Sequence, residues 1–440
     1  MGHQISSTSS VVSDALAIDG GPTIRNQPLP CEWPGTTVID EQEVEAVAAV
    51  VRARSPFRYY GPDLLGQVGA LECKFTGYTG QSWALAVNSG TAALSCAMAA
   101  MGVGPGKEVL VPAYMWVSTI AAVVRLGAIP VLVDIDDTFT MDPADLQRKI
   151  TPRSHLITVV HMSGGVGDMK AISAIAQRHD LWLLEDCAQA AGATLDGAPA
   201  GSFGDGAIYS FQLNKNMTSG DGGMIVCRDE QIYRRAFACH DLGYARTSEG
   251  RLDTSDIRCQ LWGQGSRMSE LTAAMALVQF GKLATIVGRM RAAKRKILDG
   301  IGNIDGITFR RFHDAPGEAG VFMITTYQTP QVCQQFTQAL RAEGIVPGPG
   351  GCYNVPMTEW GLHIYYNIPS LVHKTSISDD GWPWTHPANS ASSHEYGKGT
   401  CPQCDDLIAR SNIFSIPPDL NDQDITDIIV GFRKVAAHLL

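Results

Sequence analysis

The sequence predicts an α/β fold: a mostly parallel central sheet flanked by helices, followed by a smaller C-terminal α+β domain. Three observations carry this expectation. From residue 84 onward, short apolar runs alternate with helical stretches, the pattern of strands joined by crossover helices. The runs are apolar throughout rather than alternating with polar residues, as strands covered on both faces must be. After a long helical run that begins at Arg267, short strands and helices mix without that regular order, which marks a second unit.

Taken in order, residues 1–35 read as an N-terminal extension. Its first part is a Ser- and Val-rich tail expected to be poorly ordered, and its second part carries the turns Gly20-Gly21-Pro22 and Trp33-Pro34-Gly35. A large domain is expected over 36–287 and a small one over 288–440. Residues 40–54 form a well-marked helix, with Asp40 as N-cap, Glu41 and Glu43 in the first turn and Arg52 and Arg54 near the end. Residues 58–62 form a loop in which Tyr59 and Tyr60 are exposed or packed at an interface, and a second helix covers 64–77. Strands follow at 84–87, 109–111, 130–134, 156–161, 181–185, 207–211 and 224–227. Residues 92–101 and a stretch ending near Leu126 are helical. The run to about residue 300 carries Arg289, Arg291, Lys294, Arg295 and Lys296, so its later part is expected to be solvated. Residues 371–404 form an irregular insertion whose Trp382, Trp384 and Tyr396 favour a packed lid. A helix opening at Asp422 closes the chain.

Composition narrows the classes of function. The net charge of −10 argues against a nucleic-acid partner, which basic patches would attract. No apolar run approaches a membrane span, and the N-terminus lacks a signal-peptide pattern. The eleven cysteines are scattered, so reduced thiols and a cytoplasmic location are expected. Cys401 and Cys404 form the one close pair, with His386 and His394 upstream. A zinc site normally needs a second pair at similar spacing, so these read as loop thiols and no metal is expected.

The chemistry centres on Lys215, which follows the apolar run at 207–211 and precedes a glycine-rich turn and another strand. A lysine placed between buried strands is costly unless its charge is paired or removed. A Schiff base with the aldehyde cofactor pyridoxal phosphate (PLP) removes it, whereas a surface lysine in a hairpin turn needs no such device. Ligands of parallel sheets sit at the carboxyl ends of strands, and four further features fall there. Ser89, Gly90 and Thr91 join a strand to a helix N-terminus, which suits a phosphate and equally suits a plain helix cap. Asp186 ends a wholly apolar strand, where its carboxylate needs a cation; a protonated pyridine nitrogen or a structural salt bridge would serve. Gln189 follows one turn on, within reach of a ring hydroxyl. Trp116, between a strand end and a helix, can stack on a flat ring or fill core. Ser210 ends the strand leading to Lys215, where its hydroxyl can join a phosphate cup.

In this order the motifs resemble the DegT-type family of PLP-dependent sugar aminotransferases, within the type I PLP-dependent transferase fold. The resemblance spans about residues 16–440. Its most specific parts are 88–94, 112–119, 185–189, 210–223 and 263–270, with 271–283 continuing the last. It implies a homodimer with active sites at the interface. It further implies that Lys215 carries the cofactor, Asp186 pairs the pyridine nitrogen, Gln189 lies by the ring hydroxyl and Trp116 stacks on the ring. Gly90, Thr91 and Ser210, with Ser89 beside them, would hold the phosphate. One departure is Gly265, where the family usually places an asparagine that reaches the neighbouring subunit's phosphate. The expected reaction moves an amino group from glutamate or glutamine to a keto sugar or keto-cyclitol. The early Gly-Pro, Trp-Pro and Tyr-Tyr-Gly features lean toward members that act on cyclitols or make an aminohydroxybenzoate unit. A PLP-dependent deoxysugar dehydratase is the alternative, but its family members carry histidine in place of Lys215. A non-catalytic sensor of the same fold is a further alternative.

Overall fold

A computed structural model of the chain describes residues 15–346 and 353–440. The Ser- and Val-rich tail and residues 347–352 of the Gly- and Pro-rich stretch lie outside the described residues.

The central sheet has seven strands: β1 Trp83–Val87, β2 Glu108–Pro112, β3 Ile129–Val133, β4 Ser154–Val160, β5 Trp182–Asp186, β6 Gly206–Ser210 and β7 Gly223–Cys227. Their order is β1-β7-β6-β5-β4-β2-β3. Only β7 runs against its neighbours. It returns directly from β6 through the loop that carries Lys215, so no crossover helix intervenes. Each expected strand is present within one or two residues, because burial on both faces leaves an apolar signature that local sequence shows plainly.

The helices follow with similar fidelity: α1 Glu41–Arg52, α2 Gln67–Thr79, α3 Gly90–Ala100 and α4 Val117–Arg125. Asp40 caps α1 in a full capping box with Glu43. A 32-residue helix, α5 (Glu270–Ile301), packs against α1, α2 and the C-terminal helix α6 (Asp422–Leu439). By length and composition α5 could cross a membrane, contrary to the expectation that no run approaches a span. Here Ala273, Leu283, Ile286, Met290 and Ile297 are buried in the core. Its later part is only half solvated. Arg289, Arg295 and Lys296 are exposed, whereas Lys294 is buried against Glu318 at 3.0 Å and Arg291 donates to the Glu318 and Gly317 carbonyls. The helical period turns those two cations inward, where the segment around Glu318 covers them.

Beyond α5, four antiparallel strands form a second sheet in the order β8 (Ile307–Phe309), β9 (Phe322–Tyr327), β11 (Ser411–Ser415), β10 (Asn354–Pro356). The insertion at 371–404 is packed, but not as a lid. Most of it lies against the amino ends of the central strands, away from the site described below, while its last residues reach Asp134 at the carboxyl end of β3. Asn389 accepts from Gly106 N–H and donates to the Gly127 and Pro383 carbonyls, and the Tyr396 hydroxyl donates to the Pro130 carbonyl. His394, Ser392 and Thr151 converge on Glu108 at the start of β2. Burial alone would raise that carboxyl; the hydrogen bonds outweigh it and bring it down to about 2. Cys401 and Cys404 are not loop thiols either. They open the helix Pro402–Ala409, whose first N–H groups donate to Asp134, while His386 caps a short turn of its own.

Asn389→Ala would strand the Gly106 N–H and two carbonyls. It should cost about 2–4 kcal/mol of stability while leaving turnover within about twofold. Thermal unfolding and steady-state rates check both halves of that expectation.

Candidate active site

The carboxyl ends of β1, β2, β5 and β6 open into one cavity of about 580 Å³. At the end of β1, Ser89 caps α3: its Oγ accepts the Ala92 N–H at 3.1 Å, an acceptor role that leaves its hydroxyl proton free. Gly90 follows, pressed so closely on Ser210 that a Cβ there would come within 2.8 Å of the Ser210 Cβ. No side chain fits, and the free N–H groups of α3 face the cavity beside both hydroxyls. Thr91 is exposed to it and donates to the Ser118 hydroxyl at 2.9 Å. At the end of β2, Trp116 keeps 40% of its surface exposed, so it is a cavity wall rather than core filling.

Asp186, at the end of β5, is buried. Its oxygens accept from Thr119 Oγ1 at 3.2 Å and from Ala188 N–H at 3.0 Å, both neutral donors. Burial pushes this carboxyl up, opposed by the Ala188 N–H and by the charge of Lys215. Lys215 lines the same cavity, and burial lowers its pKa while Asp186 opposes the shift. Gln189 Oε1 accepts the Ser163 N–H at 2.9 Å, which turns its amide NH₂ outward to the cavity it lines. All eight residues singled out from the sequence therefore meet in one place. Gly265 adopts φ 66°, the left-handed region that glycine enters freely and asparagine tolerates better than most residues, with open space around it.

Sequence reasoning missed the other wall. Glu32 and Trp33, assigned to an extension, line the cavity with Tyr353, Trp360 and His363. The Gly35 N–H donates to the Lys215 carbonyl at 3.1 Å, which fastens this segment to the lysine loop. The one signal was Trp33-Pro34-Gly35, which reads locally as a turn. His363 lies 4.7 Å from Trp116 and stacks on Trp360 at the same distance. Its Nδ1 bonds the Trp360 carbonyl at 2.7 Å, and burial lowers its pKa to about 4, so at neutral pH it is an uncharged ring with Nε2 as acceptor. One buried trio could suggest a metal: His161, Glu185 and Cys187. Glu185 instead takes hydrogen bonds from His161 and the Gly201, Phe203 and Gly204 N–H groups, which fills its four acceptor positions.

PLP fits what this chain provides. A bare helix N-terminus with hydroxyls beside it suits the phosphate, and Trp116 presents a face to a ring. Asp186 forms no ion pair among the described residues and would gain one from a protonated ring nitrogen, and a lysine of lowered pKa stands beside it. Fold and site together define a type I PLP-dependent aminotransferase.

A family model of the DegT/DnrJ/EryC1/StrS aminotransferases matches residues 38–360, and the chain belongs to that family. It is 34% identical over 311 residues to an L-glutamine:scyllo-inosose aminotransferase of Streptomyces griseus, covering 70% of this chain and 72% of that one. It is 33% identical over 377 residues to a UDP-N-acetyl-3-dehydro-α-D-glucosamine 3-aminotransferase of Acidithiobacillus ferrooxidans, covering 84% and 89%. Among solved structures, 3-amino-5-hydroxybenzoic acid synthase superposes with a TM-score of 0.74 at 25% identity, over 94% of this chain and all of that one.

Glu32 carries a testable cost. Burial pushes its carboxyl up to about 7, opposed by the Trp33 indole N–H and, more weakly, by the nearby polar groups of Tyr353 and Ser415. The folded state therefore holds a proton that the unfolded chain releases near pH 4.5, and stability falls as pH rises from there to about 7. Glu32→Gln removes that loss. Its melting temperature should exceed that of the natural protein by a few degrees at pH 8, with a smaller difference at pH 5.

Proposed function

We propose that the protein transfers the amino group of glutamine or glutamate to the carbonyl carbon of a keto-cyclitol or keto sugar. The observation that carries this reading is the convergence of Lys215, Asp186, Trp116 and the α3 N-terminus on one cavity. When bound, PLP supplies the electron sink that stabilises negative charge on the carbon losing its proton. The chain's own residues do the rest. Lys215, whose ammonium form desolvation disfavours, would carry the proton taken from the donor Cα. Asp186 would hold a proton on the ring nitrogen, Gln189 would lie by the ring hydroxyl, and Trp116 would stack on the ring. Ser89, Gly90, Thr91 and Ser210 would hold the phosphate. The relatives' glutamine-dependent, cyclitol-directed names support the choice of donor and acceptor class.

Lys215→Ala should abolish the visible absorbance of the lysine-bound cofactor and lower turnover by about 100- to 10,000-fold. A variant that keeps full turnover with glutamine and scyllo-inosose would sink the reading.

The working unit proposed is a cytoplasmic homodimer. Trp262 is 98% exposed and Ile257 79%, and Leu242 is exposed beside Gly243, whose carbonyl accepts the Leu261 N–H. Large exposed apolar side chains of this kind suit an interface. Trp262→Asp should shift the protein toward monomer in light scattering.

A further inference from the structure

Just past the carboxyl end of β4, residues 162–165 make a turn that costs more than a connection requires. Ser163 is fully buried and adopts φ 52°, ψ 34°, a left-handed conformation that strains a residue with a side chain. Gly164 and Gly165 follow, where a Cβ would strike Ala319 and the Arg310 guanidinium respectively. Arg310, which follows β8 of the second sheet, is itself buried. It donates to the Thr138, Met162 and Ser163 carbonyls at 2.6, 3.0 and 3.3 Å. The Ala319 N–H holds the Gly164 carbonyl at 2.9 Å, and the buried Tyr114 hydroxyl bonds Ser163 Oγ at 2.8 Å. A buried guanidinium held by carbonyls is costly to desolvate, and backbone strain adds to that cost.

This construction bears on the site through one peptide group. The Ser163 N–H donates to Gln189 Oε1 at 2.9 Å, and the carbonyl of the same peptide, that of Met162, accepts from Arg310. The peptide is therefore gripped at both ends, and the guanidinium on its carbonyl strengthens its N–H as a donor. Because φ is the rotation about N–Cα, relaxing Ser163 to a negative φ would swing this peptide away from Gln189. An amide whose oxygen is fixed in this way has its NH₂ fixed too, and Gln189 is half-buried in the cavity lining.

We propose, resting on the aminotransferase reading above, that Ser163 is a positioning residue whose N–H, braced by Arg310 of the second domain, locks the Gln189 NH₂ toward the ring hydroxyl of the cofactor. A donor at that oxygen stabilises negative charge there and loosens its hold on the proton shared with the lysine-bound nitrogen. The brace thereby sets the pH at which that proton leaves, and a contact from the second domain reaches the cofactor through the backbone. The charged groups lining the cavity, Glu32, Asp186, Lys215, Asp221 and Glu359, together with His363, are common to every variant below, so differences among variants report the amide.

The test titrates the visible absorbance of the PLP-loaded protein with pH. Gln189→Leu should raise the apparent pKa of the absorbance change by about one unit, the size of one hydrogen bond on this scale. Ser163→Val, whose β-branched side chain resists the left-handed region, should raise it by about half a unit to one unit. The two substitutions together should raise it no further than Gln189→Leu alone, because they break one chain of contacts. Ser163→Gly keeps the N–H and enters that region freely, so it should stay within about 0.3 unit of the natural protein. If Ser163→Val does not fold, Arg310→Lys is read in its place, with a rise expected, since it keeps the cation and loses the fork that grips the carbonyls. An unchanged value in the variant read, or a shift in Ser163→Gly as large as that of Gln189→Leu, overturns the role of Ser163. An unchanged value in Gln189→Leu overturns the placement of the amide and leaves the aminotransferase reading standing. A natural protein with no visible band after incubation with PLP defeats that reading, and the proposal with it.

Discussion

The site depends on desolvation of one carboxylate. Asp186 sits at the end of a strand buried on both faces, and its protein partners are a threonine hydroxyl and a backbone N–H. In such surroundings an ionised carboxylate demands a cation. Strand geometry makes the arrangement possible, because successive side chains point to opposite faces. Glu185 points away from the cavity and clamps residues 201–204 through three N–H groups, which holds the start of β6 beside β5. Asp186 points into the cavity. One residue fixes the frame and the next uses it.

The two walls of the cavity come from different parts of the chain. The strand ends and α3 supply groups suited to a phosphate and an aromatic ring. The N-terminal segment and the loops after β10 supply Glu32, Trp33, Tyr353, Trp360 and His363. The insertion at 371–404 belongs to neither wall. Its Trp and Tyr content does report packing, but the surface it covers is the amino end of the central sheet, where Glu108 and Asn389 hold it by hydrogen bonds. Aromatic content shows that a segment packs and says nothing about where.

Glu32 carries a local cost to stability, since its buried, unpartnered oxygen destabilises the folded chain as the carboxyl ionises. The Gly90–Ser210 contact is the opposite case, since close packing there also serves the site by clearing a path to the α3 N–H groups.

By itself the sequence determined the central sheet and its helices, because burial on both faces and helix capping are written in adjacent residues such as 207–211 and Asp40 with Glu43. It also determined the cofactor side of the site, since Ser89, Asp186 and Lys215 each lie at the end of a legible strand or just past one. Tertiary structure decided the rest. Nothing local in Glu32-Trp33 indicates that a hydrogen bond from Gly35 to Lys215 draws the segment into the cavity. Nothing local in Arg291 and Lys294 distinguishes them from the solvated cations beside them. Side-chain periodicity is encoded over a few residues, whereas the surfaces that long-range contacts bring together depend on the closed fold.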